Sequence, residues 1–317
     1  MAPGVMRRNH QTAAFLAIAF GWAILVGSAL AGFRIKLSSL PGIAILALVY
    51  MPAPTIAALI VERRVVVERL ALPSRQTGPS IVRFFALPAV TVAAALLLFF
   101  GLTAVLGGLL HVGGVGMVVT SVAQLKANVA RQYGAALANA ANYPPSVPAM
   151  VVVTFVAALV AGWSINGVFS LGEEYGWRGF LWDHWKHLGI VPANLATGVV
   201  WGLWHAPLIL QGYNYPGHPV AGVLVMVIFA TGLSFVLSAT REVTGSVLPT
   251  AATHGSINGT GALTILLTSG ANPLVGGIVG LVGCCCLLLV GAAVWSRVAS
   301  RSAAAAGDPN PSGNYIG

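Results

Sequence analysis

The chain is short of charge. Only 7% of its 317 residues are charged, against about a quarter in an ordinary soluble domain, so it cannot cover a water-soluble globule with polar surface. Acidic residues are scarcest, seven against sixteen basic ones, for a net charge of +9. Cysteine is almost absent, and the three present, Cys284 to Cys286, are consecutive. Successive helical positions point about 100° apart, so these thiols cannot form one tetrahedral metal site. Their place inside an apolar run makes them small filler. No unit of about 20 to 50 residues repeats, which excludes a solenoid. There is no HExxH, the usual pairing of two zinc-binding histidines one helical turn apart. No nucleophile stands beside a base in sequence, which leaves a covalent intermediate without support.

What the chain has instead is hydrophobic length. Mean hydropathy is +0.86, and eight apolar runs of membrane-spanning length stand out, at about 12–32, 40–61, 84–110, 148–170, 191–211, 219–240, 246–268 and 274–297. They are rich in Leu, Val, Ala and Gly and do not alternate, which points to helices and not to the strands of an outer-membrane barrel. The expected fold is therefore an all-α, polytopic membrane helix bundle of about eight spans, in contact with the lipid bilayer. Arg7 and Arg8 precede the first run in the manner of a signal peptide. That run is too long for the apolar core of one, and "GFRIKLSS" is a poor cleavage site, so it reads as a retained anchor.

A basic chain raises the possibility of nucleic acid, but the position of the charges argues against such a partner. An even number of spans puts both termini on one side. That side would hold Arg7, Arg8, Arg63, Arg64, Arg69, Arg75, Arg83, Arg178, Lys186, Arg241, Arg297 and Arg301, and the other only Arg34, Lys36, Lys126 and Arg131. Twelve against four predicts cytoplasmic termini by the positive-inside rule, in a plasma (inner) membrane. Residues 62–83 form a cytoplasmic loop with breakers at Pro73 and Pro79. Residues 111–147 form the longest loop, expected outside, with a helix-forming stretch that lies on the membrane or folds over a site. "GGIVGLVG" at 276–283 sets Gly276 and Gly280 at a spacing suited to close helix packing. Residues 1–302 read as a single transmembrane domain, followed by a tail, 303–317, expected to be disordered.

Three polar clusters break the apolar pattern, all in the second half. In "LGEEYGWRGF" Glu174 and Arg178 are one helical turn apart and can pair on one face, while Glu173 points away and lacks that partner. A bland reading makes them a charged juxtamembrane cap beside a belt of Trp177, Phe180, Trp182 and Trp185. In "WGLWHAP" His205 lies some fifteen residues into the fifth run, hence deep in the hydrocarbon, and Pro207 adds a kink. In "HGSIN" His254 and Asn258 share a face of the seventh run. Either histidine alone could be interhelical glue. Together they form a set of intramembrane ionisable groups, which face a bundle interior and mark a functional site. That set supplies a general base, further proton-handling groups and an amide donor. A metal site of Glu173, His205 and His254 from separate helices remains open on this reading. So does a transporter with a polar cavity, although the first four runs carry almost no polar residues, which favours hydrolysis over passage.

The three motifs, "EEYGWR", "WGLWHAP" and "HGSIN", in this order and with the flanks "GEEYGWRGFL", "GLWHAPL" and "VLPTAATHGSIN", resemble the CAAX protease and bacteriocin-processing (CPBP) family of intramembrane endopeptidases. That family includes the Ras-converting CAAX prenyl endopeptidase. The resemblance covers about residues 165–262, within a family-like core of about 148–298, and Trp201 stands where Phe is common. It implies that Glu173, helped by His205, activates water, and that His254 and Asn258 stabilise the oxyanion. Glu174 and Arg178 would shape the first motif and position the site. The family has been described both as glutamate-dependent and as metal-dependent. One carboxylate beside an amide-bearing partner fits the cofactor-free version better, with zinc on Glu173, His205 and His254 as the alternative. The implied substrate is a membrane-anchored peptide or protein, with or without prenylation. Some relatives are scaffolds or immunity proteins, which with transport makes the non-enzymatic alternative.

Overall fold

The computed structural model describes the backbone of residues 3–73 and 80–306. The chain runs through helices α1 (Pro3–Gly32), α2 (Leu40–Glu62), α3 (Ile81–Leu109), α4 (Val122–Tyr133), α5 (Val147–Gly162), α6 (Ile165–Glu174), α7 (Ile190–Trp204), α8 (Pro219–Thr244), α9 (Val247–Leu266) and α10 (Leu281–Ala306). Among the described residues the only strands are two-residue β1 (Met117–Val118) and β2 (Thr268–Ser269), paired antiparallel. Local chemistry sets several ends. Ser146 and Ser246 accept hydrogen bonds from the backbone N–H groups of Ala149 and Leu248, capping α5 and α9. Ser121 and Gln124 form a capping box on α4. Large apolar side chains such as Leu25, Leu97, Val153 and Leu224 stay exposed on the outer faces, where lipid replaces water as the solvent.

The chain is a multi-pass membrane protein by these helices, but not all of the eight apolar runs form one long apolar helix each. Among the described residues five helices are long and apolar enough to cross a membrane, or six if the bent pair Val147–Gly162 and Ile165–Leu188 is one span. The run at 148–170 breaks at Trp163 and Ser164 and bends by 53°. The run at 191–211 breaks at His205, after the 15 residues of α7, and resumes only as the single turn Ala206–Ile209. α9 has the length, but His254, Asn258 and its threonines dilute its hydropathy. The last run becomes a continuous helix only from Leu281. Residues 276–280 are turns, so Gly276 and Gly280 are not on a helix face, and Gly277 sits at a φ of +81°, the left-handed region. Ala303 to Ala306 continue α10; the rest of the tail, like Pro79, lies outside the described residues.

Contacts sort the loops into two ends of the bundle. At one end Arg69 donates to Glu62 at 2.6 and 2.8 Å and to Asp183 at 2.9 Å. Burial pulls the Arg69 guanidinium down, but those two carboxylates outweigh it and raise its pKa. Arg8 meets His187, and the Trp182 indole donates to Glu242, at the same end. At the opposite end the segment 111–147 folds onto the tip of α9. There Asn128 donates to the Leu266 carbonyl at 2.8 Å, Arg131 to Ser269 at 2.6 Å, and Tyr215 to the Val279 carbonyl at 2.7 Å.

Candidate active site

The site is assembled from the ends of α6 and α7 and the middle of α9. α6 passes into a π-helical turn at Tyr175–Leu181, every residue of which is buried. Such wide turns are often found at functional sites. Trp177, Phe180 and Trp182 are therefore packed inside, not spread as an interfacial belt, with Phe15 of α1 stacked on Phe180 at 4.7 Å. α9 comes close to α6 because Gly255 has no side chain: a Cβ there would stand 2.8 Å from the Asn166 carbonyl carbon. Asn166 secures the contact by donating to the Gly255 carbonyl at 3.1 Å.

Glu173 and Glu174 are both buried, 2% and 0% exposed, yet they face different surroundings. Glu174 lies behind the site. Its Oε1 accepts from Arg178 Nη1 at 2.9 Å and from His254 Nδ1 at 2.9 Å. Arg178 also donates to Ser234 Oγ at 2.8 Å and stacks its guanidinium over Trp201 at 4.2 Å. Arg178 is 1% exposed and belongs to the buried network, so it is not one of the loop charges. Glu173 faces the other way and lines a cavity of about 460 Å³ together with His205, His254 and Asn258. Its lack of a helical partner is made good by Trp201, whose Nε1 donates to Glu173 Oε2 at 2.7 Å.

Hydrogen bonding fixes what each ring can do. His205 Nδ1 lies 2.9 Å from the Trp201 carbonyl. A carbonyl only accepts, so Nδ1 carries the proton, and in the neutral ring Nε2 keeps its lone pair. His254 is held in the same sense by Glu174, which leaves its Nε2 for other partners. Asn258 is exposed to the cavity and makes no hydrogen bond to protein among the described residues. Tyr50 and Trp204 complete the wall, joined by a 2.6 Å hydrogen bond from the Tyr50 hydroxyl to the Trp204 carbonyl. Sequence reasoning missed the roles of Trp201, Ser234 and Tyr50 in this arrangement. Trp201 had a signal, since it sits one helical turn before His205 and so on the same face.

Residues 144–260 match the family model described as Rce1-like, type II CAAX prenyl endopeptidase Rce1-like. The match bears out the resemblance carried by the three motifs and takes in Glu173, His205, His254 and Asn258. No curated protein matches the chain. A zinc ion on Glu173, His205 and His254 would need these donors to converge. Among the described residues no three His, Cys, Asp or Glu side chains stand close enough to share one ion.

Proposed function

We propose that the protein is an intramembrane endopeptidase that hydrolyses a peptide bond of a membrane-associated protein or peptide, using water activated by Glu173. The observation that carries this reading is the hydrogen-bonded Trp201–Glu173 pair on the wall of the cavity that His205, His254 and Asn258 also line. Water would give a proton to Glu173 as its oxygen attacks the scissile carbonyl carbon. His205, with an Nε2 lone pair, assists the removal of that proton. Asn258 donates its amide N–H to the oxyanion, and His254 donates through Nε2 when its ring carries both protons. Glu174 orients the His254 ring through its Nδ1, which turns Nε2 toward the cavity. Collapse of the tetrahedral intermediate breaks the C–N bond, and Glu173 returns its proton to the departing amine. No step runs through a metal. Both termini lie in the cytoplasm in this reading, as the cation distribution supports.

The test is to purify the protein in detergent and incubate it with prenylated and unprenylated peptides, with and without chelator. Cleavage that survives chelation is expected. Activity lost to chelator and restored by zinc would overturn the metal-free mechanism and leave the protease standing. No cleavage of any peptide would favour the transporter or scaffold.

A further inference from the structure

We propose that a groove between the start of α1 and the end of α2 binds one anionic phospholipid, with its phosphate on Arg7 and Arg63 and its acyl chains along the apolar part. The two helices run antiparallel, and the Trp22 indole of α1 donates to the Val49 carbonyl of α2 at 2.9 Å. Their apolar spans, Met6–Gly32 and Leu40–Glu62, therefore begin and end together at one membrane surface. The groove there has a volume of about 580 Å³. From α1 it is lined by Arg7, His10, Gln11, Ala14 and Ile18, whose spacings of three and four keep to one helical face. Ile60, Val61 and Arg63 line it from α2. The order of these residues is that of a phospholipid. Cationic and amide side chains stand at the surface, and the positions deeper along both helices are apolar.

The charge of the groove is uncompensated. Among the described residues no acidic side chain lines it, and Arg7, His10 and Arg63 make no hydrogen bond or ion pair. Their neighbours are engaged elsewhere. Glu62 holds Arg69 at 2.6 and 2.8 Å, and Arg8 meets His187. Arg63 caps α2 at a φ of +56°, a left-handed position that Gly usually takes, so a cation stands where bare backbone would be expected. Guanidinium groups match phosphate geometrically, and basic pockets between membrane helices bind phospholipid head groups. The apolar length beneath the cations singles out a lipid, because a soluble anion would leave it unfilled while acyl chains pack into it. The lipid would also brace the elements behind the active site. Phe15 of α1 stacks on Phe180, Trp204 donates to the Ala19 carbonyl at 3.2 Å, and a Cβ on Gly176 would stand 2.5 Å from Pro54 of α2.

The test uses the full chain, purified in detergent and stripped of lipid, with native mass spectrometry as the readout. One molecule of phosphatidylglycerol should be retained per protein, in preference to phosphatidylcholine with the same chains. An arginine near a membrane surface contributes roughly 5-fold in affinity for anionic lipid, so Arg7→Gln combined with Arg63→Gln should weaken retention about 30-fold. Both side chains are exposed, so this variant should fold. As a control, Arg34→Gln with Lys36→Gln removes the same charge from the loop joining α1 to α2 and should change nothing. Ala14→Trp keeps both arginines and fills the groove, and it should lose the lipid as well. Equal retention of the two lipids, a control that loses as much as the Arg7 and Arg63 variant, or retention by that variant or by Ala14→Trp overturns the site. Thermal unfolding separates a lipid from a free anion. Phosphatidylglycerol should raise the Tm of the wild type and not that of the Arg7 and Arg63 variant, and inorganic phosphate should raise neither. An equal rise with inorganic phosphate would overturn the assignment to a lipid.

Discussion

Trp201 holds Glu173 through a 2.7 Å hydrogen bond from its indole N–H, while Arg178 lies over the same ring at 4.2 Å. One side chain thus joins the carboxylate at the cavity to the buried ion network behind it. A phenyl ring would keep the stacking and lose the donor. Hydrogen bonds to charged groups contribute about 1.5–3 kcal/mol, so Trp201→Phe should lower kcat roughly 10- to 100-fold with KM little changed. Steady-state kinetics on the purified variant decide it. Full activity would remove Trp201 as a positioning residue.

The two adjacent glutamates should respond differently to the same change. Glu173→Gln keeps the shape and loses the basicity, so cleavage should vanish while the protein folds as before. Glu174→Gln leaves Arg178 buried, at 1% exposure, without its carboxylate. Removing one partner of a buried pair costs about 3–5 kcal/mol, which thermal unfolding in detergent would register as a marked loss of stability. Equal stability and activity for the two variants would refute the division of labour.

Asn258 faces the cavity without a hydrogen-bond partner among the described residues, so Asn258→Ala should fold and bind peptide normally. Loss of one oxyanion donor costs about 2.7–4 kcal/mol, a fall in turnover of roughly 100- to 1000-fold. A variant that unfolds, or that turns over as fast as the wild type, argues against the donor role.

Orientation is open to a direct check. Reporter fusions placed after Ala303 should be active only in the cytoplasm, given the concentration of cations at that end. An extracytoplasmic reporter would reverse the bundle.

The lesson of the residues themselves is about range. Apolar run length, the one-turn spacings Glu174–Arg178 and His254–Asn258, and the order of three motifs are properties of neighbouring positions. Helix periodicity and the cost of placing a polar group in hydrocarbon make them readable without coordinates. The Glu174–Arg178 ion pair was legible in this way, and so was the grouping of Glu173, His205, His254 and Asn258. The break at Trp163, the end of α7 at His205 and the turns at 276–280 were not, since apolar runs look alike whether or not the backbone stays helical through them. Nor could spacing pair Trp201 with Glu173, Arg178 with Ser234 or His254 with Glu174, separated by 28, 56 and 80 positions. Those contacts exist only because α6, α7, α8 and α9 pack at close quarters.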